Sequence, residues 1–340
     1  MAESDRLETG VEAREGQQDW EAFESGFRSI QDNIEKVVQG KTREVRLALV
    51  ALVAEGHLLI EDVPGVGKTL LAKALARSID CSFRRIQFTP DLLPTDVTGV
   101  NVFNQERGDF EFKPGAIFAN IVLSDEINRA SPKTQSALLE CMEERQVTVD
   151  TETYQLGTPF MVIATQNPIE HEGTYPLPEA QLDRFLMEIR IGYPSPQQEE
   201  QIVGMTTGEA IAPPAAITSR DAFLALQAFV RKVPAPPSVV SYAVALATAT
   251  RPDGAVPSEV AKNFIEWGAG PRAGQALVLG AKAWALLNGR SAPQPSDVEA
   301  LALPVLRHRV IPNYRAVGEG LNSQTLIQRL LKQVPKPHDR

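Results

Sequence analysis

Residues 58–76 read Leu-Leu-Ile-Glu-Asp-Val-Pro-Gly-Val-Gly-Lys-Thr-Leu-Leu-Ala-Lys-Ala-Leu-Ala. A short apolar run leads into a turn with two glycines and then into residues that favour a helix, so the stretch predicts a strand, a tight turn and a helix. The backbone N–H groups of such a turn wrap phosphate groups, and the positive end of the helix dipole strengthens the attraction. The stretch therefore predicts an α/β domain that binds a nucleoside triphosphate.

Individual positions of this phosphate-binding loop have expected roles. Lys68 is expected to reach the β- and γ-phosphates, and the Thr69 hydroxyl to bind Mg²⁺. The strict pattern has glycine where this chain has Asp62, but aspartate tolerates left-handed backbone angles better than most residues. The alternative is an ordinary glycine-rich turn without a ligand. The expected nucleotide contacts are Pro64, Gly65, Val66, Gly67, Lys68, Thr69 and Leu70.

The composition argues against several classes of protein. A chain of 340 residues has room for about two domains. No stretch approaches the roughly 20 apolar residues of a membrane-spanning helix, so no insertion into a bilayer is expected. Two cysteines, Cys81 and Cys141, are too few for a disulfide framework, and a cytoplasmic protein is expected. The net charge of −9 argues against broad nucleic-acid binding.

The apolar pattern divides the chain into segments. Residues 1–24 are rich in acids and are expected to be mobile. Apolar runs at 58–60, 85–88, 121–123 and 160–164 predict a parallel sheet covered by helices on both faces, within a core domain over 25–204. Helical patterns at 221–230, 238–250, 273–288 and 299–306 predict a smaller, all-helical domain over 205–334, followed by a polar tail at 335–340.

A pair of acids follows the third apolar run, in Ile-Val-Leu-Ser-Asp-Glu at 121–126. A buried parallel strand that ends in acids places carboxylates at the carboxyl edge of the sheet, beside the phosphate loop. Asp125 is expected to hold Mg²⁺ through water, and Glu126 to act as general base on the attacking water. The alternative is a solvated Asp-Glu pair at the start of a helix.

Four further motifs surround or follow these acids. They are Leu-Ser-Asp-Glu-Ile-Asn-Arg-Ala at 123–130, Ser-Pro-Lys-Thr-Gln at 131–135, Ala-Thr-Gln-Asn-Pro at 164–168 and Tyr-Pro-Leu-Pro-Glu-Ala-Gln-Leu-Asp-Arg-Phe at 175–185. With the phosphate loop they resemble the MoxR family of AAA+ ATPases, in the order that the family has. The resemblance runs from about residue 34 to beyond 289. It implies an AAA+ αβα core with a helical lid domain, and ATP and Mg²⁺ as ligands.

The resemblance also implies roles for single residues. Asn167 matches the sensor-one position, where an amide orients water against the γ-phosphate. Its alternative is an Asn-Pro turn. Arg184 matches the arginine finger, offered to the nucleotide of the neighbouring subunit, and Arg129 is a second candidate for that role. The alternative for Arg184 is a surface ion pair with Asp183.

Two weaker matches lie outside these motifs. Arg272 matches the sensor-two position and is expected to touch the γ-phosphate from the lid, although a ligand-free helix start after a Gly-Pro turn would look the same. Residues 37–40 resemble the stretch that contacts adenine, which implicates Val38 and Gly40.

Two hairpins are predicted inside the core domain. Residues from about 101 to 114 alternate apolar side chains around a glycine turn, where this clade carries an insertion in its second helix. Residues from about 146 to 156 match the hairpin that precedes sensor one. Exposed Phe103, Phe110 and Phe112 would grip a partner; alternatively, they pack the hairpin onto its own domain.

The resemblance implies a homo-oligomeric ring, hexameric in this family. Such a ring would couple Mg²⁺-dependent ATP hydrolysis to the remodelling, activation or maturation of a partner protein, metal insertion included. A partner with a von Willebrand factor A domain is the family expectation. The alternatives are the ATPase subunit of a metal chelatase and a nucleic-acid motor. The acidic composition argues against the motor.

Overall fold

The computed structural model describes residues 23–62, 66–167, 173–207, 214–254 and 258–338. The acidic segment predicted at 1–24 lies outside these residues except for its last two positions. Pro64 and Gly65 of the phosphate loop also lie outside them, as do the last two residues of the polar tail.

The first part of the chain alternates strands and helices. Its helices are α1 (23–35 as described), α2 (Thr42–Val53), α3 (Lys68–Ser78), α4 (Pro94–Thr98), α5 (Pro132–Glu144), α6 (Glu179–Leu182) and α7 (Pro196–Thr206). Its strands are β1 (Leu58–Asp62), β2 (Phe83–Gln87), β3 (Gly99–Asn104), β4 (Asp109–Pro114), β5 (Ile121–Asp125), β6 (Gln146–Val149), β7 (Glu152–Gln155), β8 (Met161–Gln166) and β9 (Met187–Ile191).

Five of these strands form one parallel sheet in the order β2-β5-β8-β1-β9. Alternate residues of each strand point to opposite faces. On β1, Leu58 and Ile60 pack with helices α2 and α3, whereas Leu59 packs on the side of α5. Helices therefore cover both faces, and the predicted αβα core is confirmed.

The four predicted strands of the sheet are present, each shifted or lengthened by one or two residues at its ends. The fifth strand, β9, was not predicted. Its sequence Met-Glu-Ile-Arg-Ile interrupts the apolar run with charges, and Glu188 nevertheless lies buried against Arg190 and Arg307. Desolvation and the nearby Glu61 carboxylate raise the pKa of Glu188 to about 7.

The second part of the chain is the helical lid. It contains α8 (Arg220–Lys232), α9 (Pro237–Ala249), α10 (Glu259–Phe264), β10 (Ile265–Trp267), α11 (Pro271–Leu287), α12 (Pro295–Leu306), β11 (Ile311–Pro312), α13 (Tyr314–Gly318) and α14 (Ser323–Gln333). Strands β10 and β11 pair as a short antiparallel ribbon that the helical patterns did not predict. The boundary proposed at 204/205 falls within α7.

Two antiparallel hairpins project from the core, β3–β4 and β6–β7. The ring of Phe112 stacks on Tyr154 of the second hairpin at 3.9 Å between centroids. Phe103 and Phe110 instead pack edge to face on each other and stay 51% and 71% exposed. The three phenylalanines therefore have different roles. Phe112 joins the two hairpins, whereas Phe103 and Phe110 form an exposed apolar tip on the first hairpin.

Every helix among the described residues is too short or too polar to cross a membrane. Both cysteines are free thiols. Burial raises the pKa of Cys81 to about 11 and that of Cys141 to about 12, so neither is a reactive thiolate at neutral pH.

Candidate functional site

The phosphate loop ends at the first turn of α3. Gly67 adopts a left-handed conformation with φ of +91° immediately before the helix, a conformation that glycine adopts without strain. Lys68 and Thr69 are the first two helical residues, so their side chains start from the turn whose N–H groups point out of the helix N-terminus. The expected lysine and hydroxyl thus stand at a helix N-terminus beside the carboxyl end of β1.

Asp125 ends β5 and is 2% exposed. Its Oδ1 lies 3.0 Å from Lys68 Nζ and accepts a hydrogen bond from the Thr165 hydroxyl at 2.7 Å. Its Oδ2 accepts from the Arg85 guanidinium at 2.5 Å. Burial alone would raise the pKa of this carboxyl, but these bonds from Thr165, Arg85 and Lys68 hold it below its ordinary value. Asp125 is therefore ionised at neutral pH.

Glu126 has a left-handed backbone with φ of +59°, which is uncommon for a residue other than glycine. Its N–H donates to the Thr165 hydroxyl at 2.9 Å. Its Oε2 accepts from Gln87 Nε2 at 2.9 Å and from Arg129 Nη1 at 3.0 Å. The unusual turn lets adjacent residues point differently, so that Asp125 meets Lys68 while Glu126 meets Gln87 and Arg129.

Asn167 follows β8 and is largely buried. Strand β8 pairs with β1 on one side and with β5 on the other. The carboxyl ends of the three parallel strands meet at one edge, so Asn167 stands between the phosphate loop and the acids. The structure brings this amide to the same edge as Lys68 and Asp125.

A cavity of about 520 Å³ adjoins the phosphate loop. Val38, Val66, Gly67 and Leu70 line it, together with side chains from α3 and α7. Gly40 lies between two lining residues, Gln39 and Lys41, and its carbonyl accepts a hydrogen bond from Gln198 Nε2 of α7 at 3.1 Å. The mainly apolar walls suit a flat heterocyclic base.

Replacing Gly40 with alanine should lower the free energy of unfolding by about 1–3 kcal/mol. Gly40 has φ of +71°, and an added Cβ would lie 2.6 Å from the Gln198 side chain. That side chain is anchored to Ser195 as well as to Gly40, so it does not move aside freely. Thermal unfolding with and without ATP measures both the loss of stability and the expected weaker protection by nucleotide.

Gly204→Ala is the matched control, because this glycine lies in α7 and its added Cβ meets nothing within 4 Å. Alanine inside a helix is expected to be neutral or stabilising. Equal unfolding temperatures for Gly40→Ala and the unmodified protein would contradict the role given to Gly40.

Arg184 and Arg272 lie elsewhere, at the amino edge of the sheet. They line a cavity of about 360 Å³ whose walls include residues 54–57, directly before β1, and 183–186, directly before β9. Lys68 follows the other end of β1, and a strand of five residues spans about 16 Å. The expectation that Arg272 touches a γ-phosphate from the lid stays a prediction, and this position does not fit contact with phosphates bound by its own subunit.

The two arginines share one partner. Glu143, near the end of α5, lies 3.0 Å from Arg184 Nε through Oε2 and contacts Arg272 Nη2 through Oε1. The suggested surface pair of Asp183 with Arg184 is not formed, because Asp183 instead binds Arg309 of the lid at 2.6 Å. Arg184 and Arg272 thus form one group, contributed by the core and the lid.

Arg129, the second candidate for the finger, belongs to the other edge. Its guanidinium binds Glu126 of its own chain. Arg129 therefore lies at the carboxyl edge of the sheet, whereas Arg184 and Arg272 lie at the amino edge.

Several residues at these sites were not predicted from the sequence. Arg85 and Gln87 lie on β2, where the strand register places Gln87 beside Asp125. Thr165 bonds both Asp125 and the backbone of Glu126, and Glu143 joins the two arginines. The sequence offers one signal for Arg85: it belongs to a pair of basic residues on the strand next to the strand that ends in the acids.

The oxygen donors at the carboxyl edge fit Mg²⁺. Asp125 is a buried, ionised carboxylate and Thr69 offers a hydroxyl, both hard ligands. The described residues hold no group of three or more His, Cys, Asp or Glu side chains arranged to bind a metal ion together. Mg²⁺ commonly uses one or two protein carboxylates and completes its shell with phosphate and water, so one carboxylate and one hydroxyl suffice as protein ligands.

Two family models match the chain. Residues 57–187 match the ATPase family associated with various cellular activities (AAA), and residues 258–330 match the AAA lid domain. Chaperone MoxR1 of Mycobacterium tuberculosis (strain ATCC 25618 / H37Rv) is 42% identical, over 89% of this chain and 80% of that protein. This chain belongs to the MoxR family of AAA ATPases.

Other relatives and one solved structure also cover most of the chain. Uncharacterized protein YeaC of Bacillus subtilis (strain 168) is 47% identical, over 91% of this chain and 94% of that protein. Protein MoxR of Paracoccus denitrificans is 32% identical, over 94% and 98%. A crystal structure from Cytophaga hutchinsonii, to whose protein an ATPase activity is ascribed, shares 39% identity and a TM-score of 0.89, over 96% and 100%.

Proposed function

We propose that this MoxR protein hydrolyses ATP at a composite site between two subunits of a ring. One subunit supplies the carboxyl edge of its sheet, with Lys68, Thr69, Asp125, Glu126 and Asn167. The next subunit supplies the amino edge of its own sheet, with Arg184 and Arg272. One observation carries the proposal: both arginines lie across the sheet from Lys68 of their own chain.

The residues of the carboxyl edge divide the chemical work. Lys68 and the N-terminus of α3 bind the phosphates, and the cavity beside Val38 takes the base. Thr69 and Asp125 would hold Mg²⁺, which neutralises charge on the phosphate oxygens when bound. Glu126 accepts a proton from the attacking water once its carboxylate turns from Gln87 and Arg129. Asn167 orients that water without adding negative charge.

The residues of the amino edge stabilise the transition state. A guanidinium spreads positive charge over the equatorial oxygens as the γ-phosphoryl group transfers. Arg184 belongs to the core and Arg272 to the lid. A nucleotide that contacts both would therefore link its own state to the angle between these two domains. Hydrolysis would then change the contact between neighbours and move the lid.

The work is proposed to be done on a partner protein. The relative in M. tuberculosis is named a chaperone, which supports remodelling or maturation of a protein. The exposed tip formed by Phe103 and Phe110 offers an apolar surface for such a partner. A hexameric ring and a partner with a von Willebrand factor A domain are the family expectations that we carry into this proposal.

The ATPase rate per subunit should rise with protein concentration and level off once the ring is complete. The reason is that Arg184 and Arg272 of a lone subunit lie across the sheet from its own phosphate site. Steady-state ATPase assays over a range of concentrations, alongside sedimentation to follow assembly, measure this. A rate per subunit that stays constant while the protein changes from monomer to ring would contradict the composite site.

A further inference from the structure

Glu143 contacts both arginines of the proposed composite site. Its Oε2 lies 3.0 Å from Arg184 Nε, and its Oε1 accepts from Arg272 Nη2. Arg184 lies in the core, between α6 and β9, whereas Arg272 lies in the first turn of α11 in the lid. One carboxylate therefore joins two arginines and two domains.

The Glu143 carboxylate offsets the repulsion between the positive charges of Arg184 and Arg272. Two guanidinium groups keep their charges at all relevant pH values and repel each other when they lie side by side. A carboxylate between them attracts both and accepts a charge-assisted hydrogen bond from each. The Leu139 carbonyl accepts a further bond from Arg184 Nη1 at 2.6 Å. Glu143 thus favours a geometry that the arginines alone would avoid.

The contacts leave part of each arginine for another ligand. Arg184 engages Nε and Nη1, and Arg272 engages Nη2. A guanidinium has five N–H donors in a rigid fork, so each arginine keeps donors outside these contacts. Both side chains are partly exposed at the edge of the cavity. Glu143 therefore orients both arginines and leaves some of their N–H donors available to another ligand.

Other contacts hold the lid on the core independently of Glu143. Arg309 of the lid, 5% exposed, binds Asp183 at 2.6 Å and also donates to the Phe185 carbonyl at 2.7 Å. Arg231 of α8 binds Glu55 at 2.7 Å. Removal of the Glu143 charge is therefore expected to leave the fold and the docking of the lid intact.

We propose that Glu143 is a positioning residue, which holds Arg184 and Arg272 side by side for the γ-phosphate of ATP bound to the neighbouring subunit. This inference rests on the proposed function, because it requires that the arginines act on a neighbour. Glu143 itself does not touch the nucleotide. Its effect is expected on the rate of the chemical step and not on ATP affinity.

The test mixes two kinds of subunit. The acceptor carries Arg184→Ala and Arg272→Ala, so it binds ATP but offers neither of these arginines to a neighbour. The donor carries Glu126→Gln, so it offers both arginines but lacks its own base. ATP hydrolysis in the mixture then reports only on acceptor sites that face donor arginines. Glu143→Gln is introduced into the donor alone, where it cannot alter the hydrolysing site directly.

The expected result is a fall of about tenfold or more in the kcat of the mixture, with KM for ATP unchanged, because the acceptor supplies the ATP pocket. Glu143→Ala in the donor should give the same loss. The matched control is Glu144→Gln in the donor, which removes the same charge from the same end of α5. Glu144 lines a cavity with both arginines but, in the described structure, forms no ion pair with either. That control should leave the mixture unchanged.

Two failures are distinguishable. An absence of hydrolysis when the acceptor is mixed with a donor that keeps Glu143 would contradict the composite site itself. Hydrolysis that Glu143→Gln leaves unchanged or accelerates, or that Glu144→Gln lowers equally, contradicts the role of Glu143 alone. Thermal unfolding of each donor checks that the substitutions leave the fold intact.

Discussion

Replacing Glu126 with glutamine should lower the kcat for ATP hydrolysis by about 10²–10⁴-fold, the usual contribution of a general base. Glutamine keeps the shape of the side chain and its hydrogen-bonding contacts but does not accept the proton of water. Lys68, Thr69 and Asp125 remain in place, so ATP affinity should change little. Steady-state kinetics and equilibrium binding of a fluorescent ATP analogue measure the two effects separately.

Glu144→Gln serves as the control for this variant, since it removes one carboxylate from an exposed helix end. It should retain the full rate. Glu126→Gln protein that hydrolyses ATP at the normal rate would remove Glu126 as the base. A variant that loses ATP binding together with activity would show that Glu126 acts mainly in holding the nucleotide.

Arg184→Ala and Arg272→Ala should each lower kcat strongly, and an arginine finger of this kind contributes about 10³–10⁵-fold. ATP binding to an isolated subunit should stay intact, because both arginines lie at the opposite edge of the sheet from Lys68. The measurement pairs ATPase rates at saturating protein with nucleotide binding at concentrations where the protein is monomeric.

Arg28→Ala is a suitable control, because Arg28 is exposed and pairs only with Glu24 of its own helix in the described structure. Exposed pairs of this type contribute little. Arg184→Ala or Arg272→Ala protein with weaker ATP binding as a monomer would indicate that the arginine reaches its own nucleotide. Full activity in both Arg184→Ala and Arg129→Ala would exclude a trans-acting finger at either position.

Much of the carboxyl edge could be predicted from the sequence because its residues sit in short, continuous motifs. A strand, a glycine turn and a helix place the consecutive residues Lys68 and Thr69 at the helix N-terminus, beside the carboxyl end of β1. The acids at 125 and 126 end a buried strand, so the order of a parallel sheet brings them beside the loop. Local chain geometry therefore decides this half of the site.

The amino edge could not be predicted in the same way, because it depends on contacts between distant segments. Arg272 is 129 residues from Glu143 along the chain. No local pattern indicates that the lid would dock with Arg272 at the opposite edge of the sheet from the phosphate loop. Arg85 illustrates the same limit, since its contact with Asp125 depends on which strand lies next to β5.

The most direct test of the composite site is ATP hydrolysis by the mixture of two inactive proteins, Glu126→Gln and the double variant Arg184→Ala, Arg272→Ala. Each alone should be almost inactive, for lack of a base or of arginines. Mixed, they should recover activity, because the arginines of one complete the site of the other. A mixture that remains as inactive as its components, although sedimentation shows mixed rings, would contradict the account.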